Sequence, residues 1–174
     1  MPKPPALPLP QSSLPTLPLE PASAGAPLAT GSEPAVEDVD NPGNLLDAIK
    51  KLNGPGGTVR LSSSCIGQDP ITLESTLSIS NITIDASACL DANGLPQATM
   101  SGGEKVRAFE TTANVTLAGL AIADGKATNG NGGGVFCSSG TLEMTKCTVS
   151  GCYTTGTNGC GGGVFSIGKF KKPP

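Results

Sequence analysis

The sequence predicts an all-β solenoid of stacked, parallel-stranded coils, and three observations carry that prediction. First, apolar residues at offsets 0, 2, 5 and 7 occur three times: Leu77, Ile79, Ile82 and Ile84; Val115, Leu117, Leu120 and Ile122; Leu142, Met144, Cys147 and Val149. Two short strands joined by a bend produce this spacing, because the step of three resets which face points inward. An amphipathic helix needs offsets such as 0, 3, 4 and 7, and the Thr, Val and Ile content favours strand. Second, Gly132-Gly133-Gly134-Val135-Phe136 returns 29 residues on as Gly161-Gly162-Gly163-Val164-Phe165, and the last two strand pairs are 27 residues apart. A unit of that length cannot bury its apolar side alone, so successive units must stack. Third, Asn93-Gly94, Asn129-Gly130 and Asn158-Gly159 lie in long polar loops. An antiparallel sandwich, the alternative with many short strands, would place such pairs in two-residue hairpins. Parallel crossovers are right-handed as a rule, which fixes the expected winding.

Taken in order, residues 1–37 read as a disordered proline-rich extension. Ten of the 16 prolines fall at or before Pro34, and they interrupt Leu7, Leu9, Leu14, Leu17 and Leu19. Proline removes backbone donors and fixes φ, so neither helix nor sheet ladder propagates there. The same prolines break up any hydrophobic stretch of secretion-signal length. Residues 38–174 form the predicted coil region. Asn41-Pro42-Gly43 is a turn, and Asn44 caps a helix whose apolar face is Leu45, Leu46, Ala48, Ile49 and Leu52. Lys50 and Lys51 suit its last turn, and Gly54-Pro55 stop it. Thr58–Leu61 and Ile71–Leu73 are the next strands, and the three offset patterns follow. The glycine runs read as sharp bends between coils.

Composition excludes several functions. With no His, imidazole serves neither as base nor as metal ligand, so Ser-His-Asp and Cys-His catalysis are out. A net charge of −3 with 11 basic residues leaves no footprint for nucleic acid. No apolar run approaches the roughly 18 residues of a membrane-spanning helix. The Gly-rich runs lack the Gly-Lys-Ser/Thr ending of a phosphate loop.

The stretch from Asp40 to Leu61 (DNPGNLLDAIKKLNGPGGTVRL) resembles the opening of secreted right-handed parallel β-helix proteins of the pectate-lyase-like type, where a short helix caps the first coil. ITLESTLSISNITIDAS and RAFETTANVTLAGLAIADGKATNGNGGGVF are similar to their first coils. GTLEMTKCTVSG followed by GGGVF resembles bacterial, algal and chlamydial surface repeats, loosely including polymorphic outer-membrane-protein repeats. The Phe-x-x-Asn motif of the last group is replaced by Phe136-Cys-Ser-Ser and Phe165-Ser-Ile-Gly. The resemblance covers roughly residues 38–168 and implies a secreted or cell-surface protein with a structural or adhesive role. Glycans or surface proteins are the implied partners. The alternative is a fragment of a polysaccharide lyase or glycoside hydrolase of the same class.

Enzymes of that class work on an outward sheet face. Aligning the three offset patterns stacks Ser78/Thr116/Glu143, Ser80/Ala118/Thr145, Thr83/Ala121/Thr148 and Asp85/Ala123/Ser150 outward. These rows hold two scattered carboxylates and neither Arg60 nor Arg107, whereas a lyase needs clustered Asp for Ca²⁺ and a basic residue as general base. Glycoside hydrolysis needs paired carboxylates. Asp85 and Asp124 are the nearest candidates and read as solvated turn residues, so the expectation is a chain without catalytic site or cofactor.

Six cysteines occur without Cys-x-x-Cys spacing, which argues against structural zinc. Their even number suits an oxidising compartment, with Cys65–Cys89 and Cys152–Cys160 as candidate disulfides, while a reducing compartment with free thiols stays open. Cys147 occupies an inward position. Asn81-Ile-Thr and Asn114-Val-Thr are N-glycosylation sequons. The chain breaks off its last repeat at Lys169–Pro174, so it is expected to be part of a longer protein.

Overall fold

Short alternating segments give short strands. A computed structural model describes Met1 and residues 34–171. The disorder expected over residues 1–37 falls outside the described residues as far as residue 33, but its last two positions are ordered: Val36 and Glu37 belong to a strand and pair in parallel with Thr58 and Val59. The chain opens with β1 (Val36–Val39) and a 3-10 turn over Pro42–Asn44, followed by α1 (Leu45–Leu52). Strands β2 (Gly57–Leu61), β3 (Ile71–Thr72), β4 (Leu77–Ile79) and β5 (Ile82–Asp85) come next. They are followed by β6 (Ala98–Ser101), β7 (Phe109–Thr111), β8 (Val115–Ala118), β9 (Leu120–Ala123) and β10 (Lys126–Thr128). The last are β11 (Val135–Cys137), β12 (Thr141–Thr145), β13 (Thr148–Ser150), β14 (Tyr153–Thr155), β15 (Val164–Ser166) and β16 (Lys169–Lys171).

The protein is mostly β, with one short helix, and its strand pairs are parallel. The first sheet has the order β1-β2-β5-β8-β12-β16, the second β13-β9-β6-β3 and the third β15-β11-β7-β4, with β10-β14 as a separate pair. From β2 onward the chain passes through the first, second and third sheets in that order and returns to the first, with β10 and β14 inserted between the second and third in the last two rounds. Leu117 is the register partner of Met144 in the parallel pair β8–β12.

The inward files follow from register. Val59, Ile84, Leu117 and Met144 form one, Ile71, Met100, Ile122 and Val149 a second, and Leu77, Phe109, Val135 and Val164 a third. These side chains meet in one core. Burial of an aliphatic side chain of this size contributes about 1.5–3 kcal/mol, which holds together strands too short to persist alone.

Helix α1 buries Leu45, Ala48, Ile49 and Leu52 and packs against β1, β2 and β5. The expected cap shifts: the Asn44 side chain makes no capping bond, and Asn41 instead accepts from Gly43 N at 2.8 Å to start the preceding 3-10 turn. Asn53 ends the helix in an extended conformation; its Oδ1 accepts from Ser80 N at 2.7 Å and its Nδ2 donates to Ser78 O at 2.8 Å.

Register corrects one sequence reading. The first offset pattern spans the third and first sheets (β4, β5), whereas the other two span the first and second (β8, β9 and β12, β13). The outward rows are therefore Thr58–Thr83–Thr116–Glu143, Arg60–Asp85–Ala118–Thr145, Thr99–Ala121–Thr148 and Ser101–Ala123–Ser150. Ser78 stacks instead with Glu110, Phe136 and Phe165. The spacing marks any two strands flanking a bend and does not say which bend it is.

The glycine runs also differ in part from the bends anticipated. Gly132 and Gly161 adopt φ of 63° and 64°, as a bend requires. Gly134 has no such backbone; a Cβ there would sit 2.7 Å from Gly163 O and 3.0 Å from Cys152 Sγ. Close approach of successive passes, rather than bending, demands glycine at that position.

Candidate functional site

Alternation decides which side chains reach the outside. In β11, Val135 and Cys137 point into the core, so Phe136 points out, and β15 repeats this with Phe165. The two rings lie 6.0 Å apart between centroids at 31°, within the range of favourable aromatic pairs. Glu110 is the register partner of Phe136 one pass earlier, and the Arg107 guanidinium lies 4.9 Å from the Phe136 ring centroid.

Arg107 is held from several sides. Nε donates to Gly132 O at 2.9 Å, Nη2 to Asn131 O at 2.8 Å and Nη1 to Glu110 Oε2 at 3.0 Å. Its side chain is only 15% exposed, and its planar fork suits this three-way capture. Arg107 thereby fixes the loop that leads into β11, and Asn131 Oδ1 in turn accepts from Cys160 N at 2.8 Å. The face thus combines two outward aromatic rings, a partly exposed carboxylate and a guanidinium whose position is fixed. Sequence reasoning recognised the repeated Val-Phe but treated it as part of a glycine motif. The alternation with Val135 was the signal that both Phe rings face out.

A second feature lies on the outer face of the first sheet. A groove of about 390 Å³ is lined by Pro34, Gly57, Thr58, Asn81, Ile82, Thr83, Asn114 and Thr116. Both sequon asparagines, Asn81 and Asn114, are exposed there, each directly preceding a strand. A narrow, partly open cleft beside Cys65 has a volume of about 10 Å³, space for no more than a water.

The candidate carboxylates do not come together on one sheet. Asp85 is on the outer face of β5, where its Oδ1 accepts from Ser87 N at 2.9 Å. Asp124 follows β9 in the second sheet, with φ 50° and its N–H donating to Ser150 O at 3.0 Å. Asp38 pairs with Arg60 at 3.6 Å instead of joining either. Among the described residues, no cluster of three or more His, Cys, Asp or Glu is placed to hold a metal ion, and no helix is long and apolar enough to cross a membrane.

All six cysteines are free thiols, so neither Cys65–Cys89 nor Cys152–Cys160 is bridged. Cys65 and Cys89 lie in 3-10 turns that touch, yet their thiols donate to backbone carbonyls, Cys65 to Val39 O at 3.5 Å and Cys89 to Ser62 O at 3.1 Å. Cys152 Sγ donates to Ser150 O at 3.3 Å and accepts from Gly125 N at 3.3 Å, while Cys160 is exposed. Burial pushes the Cys65, Cys89, Cys147 and Cys152 thiols above their usual pKa; Asp40 adds to this at Cys65 and Asp124 at Cys152. These four thiols are protonated and act as small apolar groups with a weak donor.

Compared with protein-family models, curated proteins and solved structures, the chain matches none of them.

Proposed function

We propose that the chain is a right-handed parallel β-helix with a structural or adhesive role on a secreted or cell-surface protein, and that it offers the outer face of its third sheet to glycans. The observation that carries the reading is the outward row Ser78–Glu110–Phe136–Phe165 beside Arg107. Aromatic rings on an outer sheet face are poorly solvated and gain by packing against the C–H face of a sugar ring. Glu110 supplies an acceptor for the sugar hydroxyls. Parallel strands visited in a fixed order of three sheets support the solenoid, and the right hand follows from the general chirality of parallel crossovers. Asp85 and Asp124 on separate sheets favour binding over cleavage.

The test is binding of the purified full chain to arrayed glycans and immobilised polysaccharides. The wild type should bind at least one class, and the Phe136→Ala/Phe165→Ala variant should lose at least about tenfold while its circular dichroism is unchanged. Equal binding by the variant, or no binding by the wild type, would refute the assignment. Ca²⁺-dependent cleavage of an acidic polysaccharide would replace it with the enzyme reading.

A further inference from the structure

The two sequons open onto one groove. In each, the asparagine and the threonine two residues on line the same outer face, while Ile82 and Val115 between them point into the core. Strands β5 and β8 pair in parallel with Ile82 opposite Val115 and Thr83 opposite Thr116. Asn81 and Asn114 immediately precede these partners. Neighbouring strands lie about 4.8 Å apart, so the two asparagine backbones are on the order of 5 Å apart. Asn114 Oδ1 accepts from Thr141 N at 3.0 Å, which orients its amide and leaves Nδ2 free of that bond.

We propose that this groove is a modification site that carries one N-linked oligosaccharide at a time, on Asn81 or on Asn114. The proposal rests on the secreted or surface reading given above. Transfer joins Asn Nδ2 to the anomeric carbon of an oligosaccharide carried on a polyprenyl pyrophosphate. The bond from that carbon to the pyrophosphate oxygen breaks, and the amide nitrogen gives up one proton as the pyrophosphate leaves. Attached sugars then lie over Thr58, Thr83 and Thr116, whose row offers hydroxyl partners. A groove of about 390 Å³ accommodates the first sugars of one chain. Two branched oligosaccharides rooted on neighbouring strands compete for this one groove and for the same threonine row, so occupancy of one asparagine disfavours the other.

The test directs the full chain through the secretory pathway of a eukaryotic cell and measures intact mass of the secreted, folded protein. Thr83→Val and Thr116→Val each disable one sequon without altering Asn114 or the shape of the outward row. The wild type should carry one oligosaccharide per molecule, each single variant should still carry one, and the double variant none. Two oligosaccharides on the folded wild type, or none, would overturn the proposal. So would loss of all modification in either single variant, because one usable sequon then explains the single glycan. Glycan binding by bacterially made, unmodified chain is measured separately, so failure here leaves the third-sheet assignment standing.

Discussion

Replacing Thr111 with valine should stabilise the protein, against the usual direction of point mutations. Thr111 lies in β7 with no exposed surface, facing the core between its register partners Ile79 and Cys137. Its Oγ1 is buried and has no hydrogen-bond partner. A buried hydroxyl without a partner costs about 1–3 kcal/mol of lost hydration. Valine has the same branching and nearly the same shape, so it keeps the packing and the strand preference while removing the unpaired group. The expected gain is about 1 kcal/mol, discounted from that range for relaxation of the threonine site. With a urea dependence of about 2 kcal/mol per molar, the midpoint should rise by roughly 0.5 M. Equilibrium urea unfolding followed by circular dichroism measures it. A midpoint lowered by the same amount, with an unchanged slope, would mean that the hydroxyl has a partner and that the inward assignment of β7 is wrong.

Further outcomes follow from the same geometry. Leu117→Ala empties a fully buried site between Ile84 and Met144 and should cost about 3 kcal/mol, whereas Thr116→Ala, one residue away and facing out, should cost under about 1 kcal/mol; similar urea midpoints for the two would contradict the register. Arg107→Ala strands the Gly132 and Asn131 carbonyls and the Glu110 carboxylate, so a loss of about 2 kcal/mol is expected, and Arg107→Lys should restore little of it because one ammonium cannot reproduce the planar fork. The buried Cys65 and Cys89 and the half-buried Cys147 and Cys152 have folded pKa values above their unfolded ones, so their stabilisation is complete below about pH 8.5 and is lost as pH rises through the folded values. Thermal midpoints should therefore fall between pH 8 and 10, and a thiol reagent at pH 8 should label Cys160 well before the other cysteines; uniform labelling of the native chain would contradict their burial.

Much of the fold was legible because it rests on local alternation. Leu77 and Ile79, Ile82 and Ile84, Val115 and Leu117 had to share inward faces, and the helix over Leu45–Leu52 declared its buried side by its own spacing. The strands that went unread include β1, β6 and β7, whose three or four residues are too few to stand out, and β10 and β14, which have little apolar contrast. Lys126–Thr128 and Tyr153–Thr155 pair only with each other, across 27 residues of sequence, which no pattern within three residues encodes. The candidate site was half visible: the repeated Val-Phe stood out, but not its neighbours.

The inward faces of the alternating segments and the single helix were thus determined by the sequence alone, since they need only side-chain period and the requirement to bury apolar surface. Only the tertiary structure decided which bend aligned with which, and so brought Glu110 beside Phe136, left Asp85 and Asp124 on separate sheets, and kept Cys65 and Cys89 as thiols turned to carbonyls. The physical reason is that loops between strands vary in length from pass to pass. Vertical neighbours are therefore set by the shared core, through long-range pairing, and not by counting along the chain.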